Sequence, residues 1–287
     1  MCDCLDNKFT ITYFQNYEQL HSDIKEFIKK SKTQYADTFA AVFDNQKIIG
    51  IGSLYKNKTH PHCDYINIFV EEHYRKLGCG KLILNALKEK SELKKIQCMF
   101  ESDNTALAEF LISQGFMLVR KCFDFDLKPC FILNNEKLRF GVFKKITDIS
   151  PDEEKELAEL IFYNYTEYHK NINPLNPNIC CKDFYTEFIL PYNKENSSVY
   201  FFNGKLSAYM IIYDDDEENN EAGYIGGKNI EDITFYLQYY KYAIKELLDM
   251  KKTLFFEIDD VNNYGFALMK ELKIECNNSY DTYIGKC

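Results

Sequence analysis

Apolar positions in this chain switch repeatedly between a period of two and a period near 3.6. FTITYF, residues 9–14, alternates and is β-branched and aromatic, which predicts a strand. From Tyr17 to about Lys30, Leu20, Ile24, Phe27 and Ile28 recur at helical spacing. FAAVF and IIGIGSLY flank the polar Asp44-Asn45-Gln46 and predict a hairpin. DYINIFV, residues 64–70, predicts a fourth strand. Gly78 to about Lys90 predicts a helix with Leu82, Ile83, Ala86 and Leu87 on one face. IQCMF, residues 96–100, predicts a fifth strand, and Asn104 to Ser113 a helix closed by Gly115. FMLVRKCFDFDL predicts a last strand. Strands alternating with helices in this order imply an α/β (α+β) fold with a mixed, mostly antiparallel central sheet flanked by helices. Strand four, its helix and strand five form a right-handed βαβ unit.

Pro129 and the polar Asn134-Asn135-Glu136-Lys137 mark a boundary, giving domains at 1–130 and 138–287. A similar order then recurs. LRFGVFKKI predicts a strand, residues 152–170 a helix and 181–190 another. VYFFNGKLSAYMIIY predicts a hairpin turning at Asn203-Gly204. GYIGG, a helix over 231–249, the strand TLFFEI, a helix over 263–272 and a final strand complete the half. The repeat is one of architecture rather than of sequence.

Composition narrows the function classes. The 287 residues carry 46% hydrophobic side chains, enough for a sizeable core, and a net charge of -9. An acidic surface repels nucleic-acid phosphate and anionic lipid. It tolerates a cationic amine substrate, although acidity also serves solubility alone. The eleven cysteines contain no C-x-x-C pair, which argues against structural zinc. His60-Pro61-His62-Cys63 reads as a turn before a strand rather than a ligand set. The opening MCDCLDNKFT does not resemble a signal peptide, and no run of about 18 apolar residues is present. A cytoplasmic protein with reduced thiols and no membrane span is the expectation.

The chemically informative stretch is Val70-Glu71-Glu72-His73-Tyr74-Arg75-Lys76-Leu77-Gly78-Cys79-Gly80-Lys81. An apolar strand ends, a basic loop follows, and two glycines open a helix. Such a helix start presents free N–H groups and the positive end of the dipole, a site for phosphate. Cys79 in that first turn admits two readings, a thiol of lowered pKa or a packing residue. The spacing is not that of a P-loop or of a dinucleotide fingerprint.

Arg75-x-x-Gly78-x-Gly80 after the fourth strand resembles the R/Q-x-x-G-x-G/A pyrophosphate loop of the GNAT superfamily of N-acetyltransferases. Asn104, Leu107, Phe110, Gly115 and Phe116 are similar to that family's later pattern of Asn, helix and Gly-Phe. The resemblance covers about residues 8–128. It implies the acyl-CoA N-acyltransferase fold and acetyl-CoA as cosubstrate. It further implies that strands four and five splay apart, with pantetheine between them. Backbone groups at Phe69 and Val70 are then expected to hold the pantetheine arm and polarise the thioester. Backbone N–H groups over Arg75, Lys76, Leu77, Gly78, Cys79, Gly80 and Lys81 are expected to hold the pyrophosphate, and Asn104 the pantetheine side. One departure stands out: the family's frequent Tyr, seven residues after that Asn, is Leu111 here.

Asp64 is the first candidate for general base. It starts strand four, and in histone acetyltransferases of this superfamily the base occupies that position. The competing reading is an ordinary polar residue at a strand start. Glu71, Glu72, Glu101 and Asp103 are the alternatives. The second half lacks the R-x-x-G-x-G pattern. Gly226-Gly227-Lys228 does not reproduce its spacing, and Asn262 or Asn263 followed by Leu268-Met269 only echoes the later pattern. This half reads as a degenerate copy of the same fold. Asp214 to Glu218 reads as a solvated hairpin loop. Two functions remain in play: acetyl transfer to a small-molecule or peptide primary amine, and non-catalytic binding or sensing of acyl-CoA.

Overall fold

The computed structural model describes residues 9–15, 17, 20–30, 36, 38–133, 138 and 140–287. The chain forms two compact units. The first is Met1–Val119 with Thr282–Cys287, and the second is Arg120–Asp281. The opening MCDCLDNK and the linker Asn134 to Lys137 fall outside the described residues.

In the first unit the strands are β1 (Thr10–Gln15), β2 (Thr38–Asp44), β3 (Lys47–Lys56), β4 (Asp64–Val70), β5 (Lys95–Glu101) and β12 (Tyr280–Lys286). They lie in that order across the sheet. Neighbours from β1 to β4 pair antiparallel, whereas β4 and β5 are parallel. The helices are α1 (Ser22–Lys30), α2 (Cys79–Lys90) and α3 (Thr105–Ser113). The continuous apolar run of β2 is explained by burial on both faces. Phe39 and Ala41 pack with Ile24, Phe27 and Ile28 of α1, while Ala40 and Val42 pack with Ile83, Leu84 and Leu87 of α2. A strand covered on both sides loses the alternation that marks a half-solvated one. The helix expected from Tyr17 begins at Ser22.

The second unit repeats this layering. Its strands are β6 (Met117–Leu127), β7 (Val142–Lys145), β8 (Ser198–Phe202), β9 (Lys205–Asp214), β10 (Asn219–Gly227) and β11 (Thr253–Asp259). The sheet order is β6-β11-β10-β9-β8-β7. The helices are α4 (Pro151–His169), α5 (Cys181–Phe184), α6 (Ile233–Leu248) and α7 (Asn263–Glu271). Ala208, Met210 and Ile212 of β9 pack with α6, whereas Tyr209 and Ile211 pack with Leu157 and Ile161 of α4. A capping box fixes the start of α4: Ser150 accepts from the Glu153 N–H at 3.2 Å and its own N–H donates to Glu153 at 2.7 Å. The segment expected as one helix over 181–190 is α5 followed by a π turn, Tyr185–Ile189. The acidic stretch after Asp214 is the exposed β9–β10 turn, as its composition suggested.

The division expected at residues 130 and 138 does not coincide with these units. β6 is antiparallel to β11, from Leu127↔Leu254 to Cys122↔Asp259, and so belongs with the second sheet from Arg120 onward. β12 lies beside β5 in the first. There Tyr283 stacks on Phe100 with ring centroids 5.3 Å apart, and the Cys287 N–H donates to Lys94 O at 3.2 Å. Hydrophobic pattern declares a strand but not its neighbour, and that neighbour is what differs.

Candidate functional site

The parallel pairing of β4 with β5 is confined to Asp64↔Ile96 and Tyr65↔Gln97. Beyond it the strands part, while β4 remains paired with β3 all the way to Val70↔Gly50. Burial follows the divergence. β4 is buried over Asp64–Ile66 and partly open from Asn67 to Val70, and β5 opens from Met99 onward. One edge of Ile66–Val70 is thus left without a strand partner, a slot for an extended ligand flanked by backbone donors and acceptors.

The loop after Val70 leads to the start of α2. Gly78 caps the helix at φ +91°, the left-handed region where a side chain is strained, and Lys76 is also left-handed at φ +62°. The first intrahelical bond runs from the Leu82 N–H to Gly78 O at 3.1 Å, so the N–H groups of the first turn point out of the helix end. A Cβ on Gly78 would meet nothing within 4 Å, which shows open space in front of this turn. A Cβ on Gly80 would stand 3.3 Å from the Phe110 ring of α3. Arg75 Nε donates to Val70 O at 3.2 Å, folding the loop back on the strand end. Arg75, Lys76 and Lys81 are exposed around the turn and supply positive charge without occupying it. Cys79 is buried in the core, which favours its packing reading.

The other expected residues divide by position. Phe69 and Val70 sit at the open end of β4, and Phe69 also packs edge-on against Phe27 at 5.6 Å. Asn104 caps α3, accepting from the Leu107 N–H at 3.3 Å, and is exposed. Leu111 is fully buried and offers no hydroxyl. Asp64 is not brought to the opening. It lies at the paired end of the strand, six residues or about 20 Å of strand rise from Val70. It has no exposed surface, and its Oδ2 accepts from Ser91 Oγ at 2.7 Å and from the Glu92 N–H at 3.2 Å. Spacing alone does not show which end of β4 is open, because that depends on where its pairing with β5 stops. Near the open end, Glu71 is bound by Lys30 at 2.6 Å, and that hydrogen bond holds its carboxyl below the usual range. This pair joins α1 to the end of β4 and has no signal in sequence spacing. Glu101 and Asp103 are exposed.

The second unit has the same strand divergence but a different helix start. β10 pairs in parallel with β11 only from Asn219↔Thr253 to Ala222↔Phe256. Instead of a basic glycine turn, a 3-10 turn at Ile230–Asp232 precedes α6 and puts Glu231 and Asp232 at the helix start. A Cβ on Gly227 would stand 2.7 Å from the Tyr236 ring, so aromatic packing fills the position. Two carboxylates there oppose a phosphate electrostatically.

Residues 4–116 match the family model described as Acetyltransferase (GNAT) family. The chain carries a GNAT-family acetyltransferase domain. Acetyl-CoA is the cosubstrate of that family, whose members are acyltransferases. Among solved structures, a GCN5-related N-acetyltransferase from Sphaerobacter thermophilus is 9% identical over 98% of this chain and 96% of that one, with a TM-score of 0.60. This likeness extends the GNAT fold across both units. A tandem GNAT protein from the clavulanic acid biosynthesis pathway is 10% identical, covering 97% of this chain and 98% of that one, at a TM-score of 0.49. A Salmonella typhimurium structure with its cofactor acetyl-CoA is 14% identical, covering 40% of this chain and 83% of that one, at 0.31. Those two superpose too loosely to bear on the fold. No curated protein matches the chain in sequence. No helix among the described residues is long and apolar enough to cross a membrane.

Proposed function

We propose that the first unit transfers the acetyl group of acetyl-CoA to a primary amine by direct attack, with both substrates bound together. The observation that carries this reading is the junction of the β4–β5 divergence with the glycine-opened start of α2. The slot and the turn meet at Val70, as an extended thioester arm ending in a pyrophosphate requires. Backbone groups of Phe69 and Val70 line the arm. The N–H groups over Leu77, Gly78, Cys79, Gly80 and Lys81, with Arg75 and Lys76 beside them, hold the phosphates. The Asn104 side chain faces the pantetheine side from the cap of α3. Acetyl-CoA supplies the activated thioester, whose C–S bond breaks as the C–N bond to the amine forms.

The proton leaving the amine needs an acceptor at the open end of the strands. Asp64 is at the other end, and Glu71 is held ionised by Lys30, which makes it a weak base. Exposed Glu72, Glu101 and Asp103 follow the open ends of β4 and β5, and water relayed by one of them is the remaining route. No hydroxyl stands at position 111 to protonate the departing thiolate; a thiolate leaves readily enough for solvent to do so. We read the second unit as a second copy of the fold that binds no CoA, because Glu231 and Asp232 occupy the phosphate position.

Fully buried Leu111 favours a second reading, acyl-CoA sensing without transfer. Release of free thiol from acetyl-CoA in the presence of a pool of primary amines separates the two. The proposal predicts amine-dependent release that disappears in a Gly78→Val variant. CoA binding with no release under any amine supports sensing instead.

A further inference from the structure

The second unit carries a half-open cleft of about 400 Å³ lying against β10, β11 and α4. Its walls combine two kinds of side chain. Tyr165, Tyr168, Tyr213 and Tyr224 supply aromatic faces, and Glu221, Glu257 and Asp259 supply carboxylates. The register explains the clustering. Glu221 stands opposite Phe255 on the parallel ladder, so Glu257 and Asp259, two and four residues on, point to the same side of the sheet.

Charge is not balanced within this space. Asp259 is neutralised by Arg120, with Nη1 to Oδ2 at 3.1 Å. Glu257 accepts only a thiol hydrogen bond, from Cys122 Sγ at 3.3 Å. Among the described residues, no lysine or arginine forms an ion pair with Glu221 or Glu257. Burial, and then the neighbouring Glu257, raise the Glu221 carboxyl above its usual range. The same burial, with both glutamates nearby, pushes the Tyr224 phenol up to about 12. The Tyr168 hydroxyl oxygen is fully buried and has no hydrogen-bond partner. Two carboxylates without a cationic partner, set among aromatic rings, together suit an ammonium group. It pairs with carboxylate, lies over ring faces and donates hydrogen bonds.

We propose that this cleft is a binding site for an aliphatic diammonium ion, one nitrogen for each unpaired glutamate and the methylene chain against the tyrosines. The site binds and performs no transfer. It is independent of the acetyl-CoA reading of the first unit, since all its residues lie in the second.

The test is calorimetry on the whole chain with 1,4-diaminobutane. One diamine per chain should bind, and 1-aminobutane should bind at least about tenfold more weakly for want of the second charge. In Glu221→Gln/Glu257→Gln the diamine affinity should fall at least about tenfold. Glu257 is exposed, so Glu257→Gln alone keeps the fold and should show part of the loss. A Gly78→Val chain should bind the diamine like the unaltered one, which separates this proposal from the first. Absence of saturable binding overturns the proposal. So does unchanged affinity in the double glutamine variant, or displacement of the diamine by saturating CoA.

Discussion

Ser91 Oγ donates to Asp64 Oδ2 at 2.7 Å, tying the residue after α2 to the first residue of β4. The carboxylate it reaches has no exposed surface. The Glu92 N–H shares the same oxygen at 3.2 Å, and Oδ1 has no partner. Asp64→Ala should therefore cost about 0.5–1.5 kcal/mol of stability for each of the two hydrogen bonds lost. Acetyl-CoA affinity and turnover per folded molecule should be unchanged. Urea unfolding and thiol-release kinetics on the same preparation check this; a selective loss of turnover would restore Asp64 as base.

Gly78 and Gly80 differ in how substitution acts. Gly78→Val forces a left-handed residue with a branched side chain, at about 1–2 kcal/mol of local strain. It also places bulk in the open space before the helix start. Gly80→Leu presses on the Phe110 ring, 3.3 Å from the first added carbon, and tilts α2 against α3. Both should weaken CoA by at least about tenfold, equivalent to about 1.4 kcal/mol, in direct titration. Unchanged affinity in both would remove the phosphate assignment.

The Lys30–Glu71 pair has a pH signature. The folded Glu71 carboxyl is depressed, chiefly by the lysine hydrogen bond, relative to the unfolded chain. Its stabilisation is therefore present above the unfolded value, about 4.3, and is lost as pH falls through the lower folded value. Both side chains touch solvent, at 57% and 25% exposure, which limits the effect to about 0.2–1 kcal/mol. Lys30→Met should be less stable than the unaltered chain at pH 7, and the difference should vanish in acid. Chemical denaturation across that range is the measurement.

Gly226 shows how tightly the second sheet meets α4. An added Cβ would lie 2.3 Å from the Tyr209 hydroxyl and 2.5 Å from Asn164 Nδ2. Asn164 is itself buried and donates to Tyr209 at 3.2 Å and to Gly227 O at 3.1 Å. Gly226→Ala should cost about 1–3 kcal/mol by overpacking and by breaking this network. Gly204→Ala, in open space on the β8–β9 turn, should cost only its left-handed strain. Thermal melts of the two variants give the comparison.

Local chemistry made most elements legible. Asn203 and Gly204 both take positive φ, as the two-residue hairpin needs, and the helix expected over 152–170 is α4, Pro151–His169. The glycine turn that opens α2 was legible because Gly78 acts on its own backbone. Three things were not. Asp64 lay at the wrong end because openness depends on where two strands stop pairing. Lys30 and Glu71 meet only through tertiary packing. The Glu221–Glu257 cleft depends on the parallel register of β10 with β11, which hydrophobic pattern does not set.

The placement of β12 has a consequence for the order of synthesis. The first sheet receives Thr282–Lys286 beside β5, so a nascent chain that has produced everything through α3 still lacks a strand of its first unit. The β5 edge stays open until the whole second unit has been translated. During that interval the exposed backbone of Lys95–Glu101 is a place for mispairing, and a fragment ending near residue 130 keeps it permanently. The first unit therefore receives its last strand only after the second has been made.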